Sequence, residues 1–219
     1  MNDALVLKNI ERTFRQAGND LPVLRGAAVS IAAGETVALV GPSGAGKSTL
    51  LHIAGLLERP DNGEVIVDGE ACSDLTDDLR TALRRTAIGF IYQFHHLLAE
   101  FTALENVVVP QMIAGTGKLA ARKRASELLD MVGLAQVKRR AVGEYSKGMS
   151  RRLGLAQALI NDPELLILDE PTSGLDPIGT RQVKDLLLEL GRRGTTILLS
   201  SHLLSDVEDV CDRMVILYG

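Results

Sequence analysis

The chain has 219 residues, 46% hydrophobic, 24% charged and 3% aromatic, with a net charge of −4. The apolar share excludes wholesale disorder, and the mildly acidic balance argues against a nucleic-acid-binding face. Four Phe, three Tyr and no Trp are too few for a base-stacking platform, and the two cysteines, Cys72 and Cys211, cannot make a disulfide framework.

In chain order, Thr36–Val40 is an apolar run ending at a glycine, the pattern of a buried strand. Residues 47–56 read as a helix, and residues 64–67, between Gly63 and Gly69, as a short strand. From about 94 to 159 the pattern is helical, with Ala121, Ala125, Leu128, Leu129 and Val132 on one face and Gly133 as a cap. Leu165–Leu168, residues 195–200 and residues 214–217 read as further strands. Between the first two of these, Val183, Leu186, Leu187 and Leu190 recur at helical spacing, with Gly191 as the stop. Strand, helix, strand at these lengths predicts a parallel sheet with crossover helices, and the middle reads as a helical insert.

Two uncharged runs, 86–99 and 106–117, fall short of the ~20 apolar residues needed to cross a bilayer, the second being broken by Pro110. The N-terminus lacks a basic region followed by an apolar one. Together with the cysteine count, this leads us to expect a cytosolic chain.

Gly41-Pro42-Ser43-Gly44-Ala45-Gly46-Lys47-Ser48 matches the P-loop pattern in full, after a strand and before a helix. The glycines let backbone N–H groups turn inward, and the helix N-terminus adds positive potential. The expected phosphate site comprises Gly41, Ser43, Gly44, Ala45, Gly46, Lys47, Ser48 and Thr49. Lys47 would bridge the β- and γ-phosphates, and Ser48 would ligate Mg²⁺. Leu165–Leu168 then ends in Asp169-Glu170. Two carboxylates closing an apolar strand are costly unless used. Asp169 is placed to hold Mg²⁺ and Glu170 to polarise an attacking water.

With these motifs in order, the whole chain resembles the ABC ATPases, the nucleotide-binding subunits of ABC transporters. Gln93 in Tyr92-Gln93-Phe94 resembles the Q-loop, and Tyr145-Ser146-Lys147-Gly148-Met149 the signature motif. Ser173-Gly174-Leu175-Asp176 resembles the D-loop. His202 resembles the switch histidine, and Phe14 the aromatic that stacks on adenine. Lys147 and Met149 replace the usual Gly and Gln of the signature.

The resemblance implies an α/β P-loop NTPase with a mainly parallel sheet core, an N-terminal antiparallel β portion and a helical subdomain insert. It implies one nucleotide-binding domain over 1–219, with 1–93 and 160–219 as the core and about 94–159 as the helical part. It further implies that Glu170, His202 and Gln93 are catalytic, and that Ser48, Gln93 and Asp169 lie at Mg²⁺. Phe14, the P-loop, Ser146, Gly148 and Asp176 would contact ATP. The partners implied are transmembrane permease subunits and a second copy in an ATP-dependent homodimer, with no nucleic acid. The place implied is the cytoplasmic face of the cell membrane, and the role is powering a membrane exporter, with lipoprotein release one candidate.

The halves differ in flavour. Residues 1 to about 134 are similar to the lipoprotein-releasing and macrolide-exporter group, whereas the signature and the run from Leu168 to Pro177 look like multidrug or ABC-2-type exporters. A chimera joined near 132–143 is one reading of this, and ordinary divergence is the other. A soluble ABC ATPase, such as an iron–sulfur assembly factor, is a third possibility for function.

Overall fold

The computed structural model describes residues 3–16, 18–92 and 97–218. The chain opens with two long strands, β1 (Asp3–Gln16) and β2 (Asn19–Ala32), then β3 (Thr36–Val40) and helix α1 (Lys47–Ala54). Strands β4 (Asn62–Val67) and β5 (Glu70–Ala71) precede α2 (Asp77–Ala87) and β6 (Ile88–Ile91). Helices α3 (Ala103–Ile113), α4 (Lys118–Met131) and α5 (Lys147–Ala158) follow. The chain then runs through β7 (Leu165–Leu168), α6 (Pro177–Arg192), β8 (Thr196–Ser201), α7 (Leu204–Glu208) and β9 (Arg213–Ile216).

Among the described residues there are two sheets. One is antiparallel, in the order β2-β1-β4-β5. The other is parallel, in the order β6-β7-β8-β3-β9. The parallel sheet is buried on both faces, which is why its inner strands are apolar throughout rather than alternating. In β3, Val37 and Leu39 belong to the core shared with the antiparallel sheet and α1, whereas Ala38 and Val40 belong to the core that holds α6, α7 and the helices of the insert. β7 divides the same way, Leu165 and Ile167 on one side, Leu166 and Leu168 on the other.

Helices α2, α3, α5 and α6 begin where short polar side chains cap them. Thr76 accepts the Leu79 N–H before α2, and Thr102 and Glu105 form a capping box before α3. Asn106, buried in α3, bonds Leu98 and Thr102, and Gln157 of α5 donates to the Asn106 carbonyl at 2.8 Å. α3 is thereby joined to α5, which packs on β6. No helix among the described residues is long and apolar enough to cross a membrane.

Two helix ends differ from the sequence reading. The helix read over 47–56 stops at Ala54. Gly191 does not stop α6, which runs through Arg192; the chain turns at Gly194, where φ is 90°. The start of α6 is set by the Asp176 cap and Pro177, one turn and more before the apolar stripe shows.

Candidate nucleotide site

β3 delivers the chain into the loop 41–46, and α1 leaves it at Lys47. Gly44 and Gly46 have φ of 83° and 94°, a region that side chains avoid. A Cβ at Gly46 would also stand 2.9 Å from Val23 and Leu24 side-chain atoms. The glycines are therefore required by both the curl and the close approach of β2. Ala45 is buried beneath the loop and donates its N–H to the Pro42 carbonyl.

Lys47 is only 8% exposed, and its Nζ donates to the Gly41 and Pro42 carbonyls at 2.7 and 3.0 Å. Its charge is held within the loop by neutral oxygens. The loop, Ser48, Thr49, Val23 and Glu170 line a cleft of about 350 Å³. A groove of about 450 Å³ lies elsewhere, walled by Gly55, Arg84, Arg85, Phe90, Tyr92 and Gln157. It has no ring of glycine N–H groups, so its larger volume does not make it the phosphate site.

The second part of the site stands at the ends of β7 and β8. Asp169 is 2% exposed, and its Oδ1 accepts the Ser200 hydroxyl at 2.7 Å. The same hydroxyl oxygen accepts the Glu170 N–H at 2.8 Å. One serine from β8 thus clamps both acidic residues. Glu170 has φ of 49°, an uncommon backbone for a residue with a side chain. Its Oε1 lies 3.3 Å from His202 Nδ1, and its side chain is 20% exposed in the cleft wall. The structure therefore brings together the P-loop, Asp169, Glu170 and His202.

Other expected residues lie apart from this cleft. Ser146 caps α5, accepting the Met149 N–H at 3.3 Å, and Gly148 sits in the first turn. Neither lines the cleft. Asp176 accepts the Gly179 N–H at 2.8 Å as the cap of α6, so its carboxylate is engaged in its own helix. Phe14 carries the Arg12 guanidinium over one face, 4.8 Å from the ring centroid; the antiparallel-sheet residue in the cleft wall is Val23. Gln93 lies outside the described residues.

Ser200 at this site, and Arg151 in α5, carry no role in the sequence reading. The signal for Ser200 was a polar residue at the end of an otherwise apolar strand. Arg151, in α5, is 2% exposed. Burial pushes its guanidinium below the ordinary arginine range, while Asp169 and Glu170 act against that.

A family model for ABC transporters matches residues 24–173. The lipoprotein-releasing system ATP-binding protein LolD of Paramagnetospirillum magneticum is 52% identical over 202 residues, covering 92% of this chain and 89% of that protein. LolD 1 of Rhodospirillum rubrum is 49% identical over 215 residues, covering 98% and 95%. A dimeric ATP-binding cassette in a post-hydrolysis state, bound to ADP and Pi, superposes with a TM-score of 0.91 at 34% identity, covering 97% of this chain and 94% of that one. The alignment with the Rhodospirillum relative spans nearly the whole chain, including residues 132–143. The difference in flavour between the halves therefore needs no junction of two proteins. The chain belongs to the ABC transporter ATP-binding family and is an ATPase.

Proposed function

We propose that this ATPase drives a membrane exporter of the lipoprotein-releasing type, working as a dimer that closes on ATP. The observation that carries this is that Glu170, which pairs with His202 and shares the Ser200 hydroxyl with Asp169, lines one cleft with the Lys47 loop. The specific cargo class rests on the relatives, which are named lipoprotein-releasing ATP-binding proteins and which the chain matches over most of their length.

The roles follow from the chemistry of each group. Lys47 leaves the Gly41 and Pro42 carbonyls for the β- and γ-phosphates, a stronger, charged acceptor. Loop N–H groups and the start of α1 hold the remaining phosphate oxygens. The Ser48 hydroxyl and the Asp169 carboxylate are hard oxygen donors that suit Mg²⁺. Among the described residues no cluster of three or more acidic, His or Cys side chains makes an all-protein metal cage, which fits an ion completed by phosphates and water. Held by Ser48 and Asp169, Mg²⁺ would supply charge neutralisation at the ATP phosphates. Glu170 orients and deprotonates water, and His202 faces the γ-phosphate beside it. Gln93 joins this group in the reading. Ser146, Gly148 and Asp176 serve across the dimer, since they lie off the chain's own cleft. Phe14 is the residue that stacks on adenine in this reading.

The core comprises 1–93 and 160–219, and about 94–159 forms the helical lobe. The groove walled by Arg84, Arg85, Phe90, Tyr92 and Gln157 lies where these parts meet and is both aromatic and cationic. It is our candidate seat for a cytosolic segment of the permease. In this reading the chain sits on the cytoplasmic face of the membrane, held there by the permease.

Co-expression with tagged permease subunits of the lipoprotein-releasing type tests this. Co-purification, with ATPase activity that responds to the permease, supports the reading. ATP hydrolysis with no association to such a permease overturns the exporter role while leaving the ATPase intact.

A further inference from the structure

Phe14 stands near the end of β1, outside the phosphate cleft but beside its wall. It pairs with Leu21 of β2, two residues from Val23, which lines the cleft. Arg12, two residues earlier on β1, lays its guanidinium over the Phe14 ring, with Cζ 4.8 Å from the ring centroid. The guanidinium is held in turn. Its Nη1 donates to Asp61 Oδ1 at 2.7 Å, and its Nε lies 3.8 Å from Glu58 Oε2. Two acids thus fix a side chain that would otherwise sample many rotamers.

Asp61 grips the strand as well as the cation. The pairing of β1 with β4 runs as far as Glu11, opposite Asn62. At that point the Asp61 N–H donates to the Glu11 carbonyl at 2.8 Å, and Asp61 Oδ2 accepts the Thr13 N–H at 2.6 Å. The residue before β4 therefore holds Glu11, Arg12 and Thr13, the three residues that lead into Phe14. The Thr13 N–H, ahead of the Arg12 guanidinium, keeps the Asp61 carboxyl below its ordinary range, so it meets Arg12 as an anion.

We propose that Arg12 and Asp61 are positioning residues for the nucleobase: Asp61 fixes Arg12, and Arg12 fixes the Phe14 ring on which adenine stacks. The proposal rests on the reading of Phe14 as the adenine-stacking residue. Arg12 and Asp61 then set affinity for the base, and the Lys47 loop sets affinity for the phosphates.

The test measures Kd by calorimetry, with Mg²⁺, for ADP, which binds without turnover, and for inorganic triphosphate, which has no base. Phe14→Ala examines the underlying reading: ADP should bind at least about fivefold more weakly, the scale of base stacking, with triphosphate unchanged. Unaltered ADP binding in Phe14→Ala removes the stacking role, and the proposal with it. Where Phe14→Ala does weaken ADP, Arg12→Gln decides the proposal itself. It should weaken ADP about two- to fivefold, the size of a partly exposed cation–π contact, and leave triphosphate unchanged. Added to Phe14→Ala, it should cost less than about twofold further, because the ring through which it acts is gone. A loss of ADP affinity under about twofold in Arg12→Gln overturns the proposal, as does an equal loss for triphosphate or the same loss repeated without Phe14. Should Arg12→Gln fail to fold, Asp61→Asn decides, since it keeps an oxygen for the Thr13 N–H and removes the charge that holds Arg12. ADP weakened at least about twofold with triphosphate unchanged supports the proposal, and a smaller loss, or an equal loss for both ligands, overturns it.

Discussion

His202 Nδ1 lies 3.3 Å from Glu170 Oε1, joining a residue after β8 to the acid after β7. Both stand at the carboxyl ends of adjacent parallel strands, where an open α/β sheet presents its site. Glu170 adopts φ of 49°, and its N–H is held by Ser200, so its direction is set by the backbone as well as by the histidine. Glu170→Gln keeps the shape and removes the basic oxygen. Turnover should fall by about 10²–10⁴-fold, the range for a positioned general base, with ATP binding kept. Size exclusion of this variant should show a dimer only with ATP; near-native hydrolysis would contradict the assignment.

Lys47→Ala acts on binding itself. The native side chain donates to two loop carbonyls and is poised beside the cleft. Hydrogen bonds from a charged donor contribute about 1.5–3 kcal/mol, so ATP affinity should fall by about 10- to 150-fold. Titration with a fluorescent ATP analogue measures this, and an unchanged Kd would rule out the P-loop role.

Ser200→Ala removes the clamp. Asp169 Oδ1 and the Glu170 N–H then lose a partner that is wholly buried. Unfolding free energy should fall by about 1–3 kcal/mol, the cost of an unsatisfied buried group. Denaturant melts check this, and steady-state kinetics should show a lower kcat alongside. A variant as stable and as active as native would show that the serine is dispensable.

Glu35→Gln tests a pair far from the cleft. Arg213 Nε and Nη2 reach Glu35 Oε1 and Oε2 at 2.8 and 3.2 Å, and the Ala32 N–H reaches Oε2 at 2.9 Å. The Arg213 hydrogen bonds, ahead of the Ala32 N–H, hold the Glu35 carboxyl below its ordinary 4.5. The folded value is the lower one, so the stabilisation is present above the unfolded value and lost as pH falls through the folded one. The variant should be less stable by about 0.5–1 kcal/mol at pH 7, as expected for a partly exposed pair. The gap in melting temperature between variant and native should close as pH drops below 4.5. A gap that stays constant with pH would mean the carboxylate charge is not what matters.

Much of this was legible in the residues. β3, β7 and β8 announce themselves as apolar runs because both faces of the parallel sheet are covered. The P-loop is legible because its shape is local, made by Gly44 and Gly46 within the loop's own backbone. Asp169 and Glu170 stand out as acids ending an apolar strand. The long β1–β2 hairpin left little trace, since its register shifts at several points and breaks the alternation a strand would otherwise show. α2 was missed although it carries a marked helical period after its Thr76 cap, because most of its side chains are polar, and β6 has only four residues.

The sequence by itself determined the phosphate loop, the apolar strands and the family, because each depends on neighbouring residues or on their order. Only the tertiary structure decided that Ser200 clamps Asp169 from 31 residues away, and that His202 meets Glu170 across adjacent strand ends. Those relationships arise from which strands lie side by side and from what burial does to charge. Neither is written in any one segment of the chain.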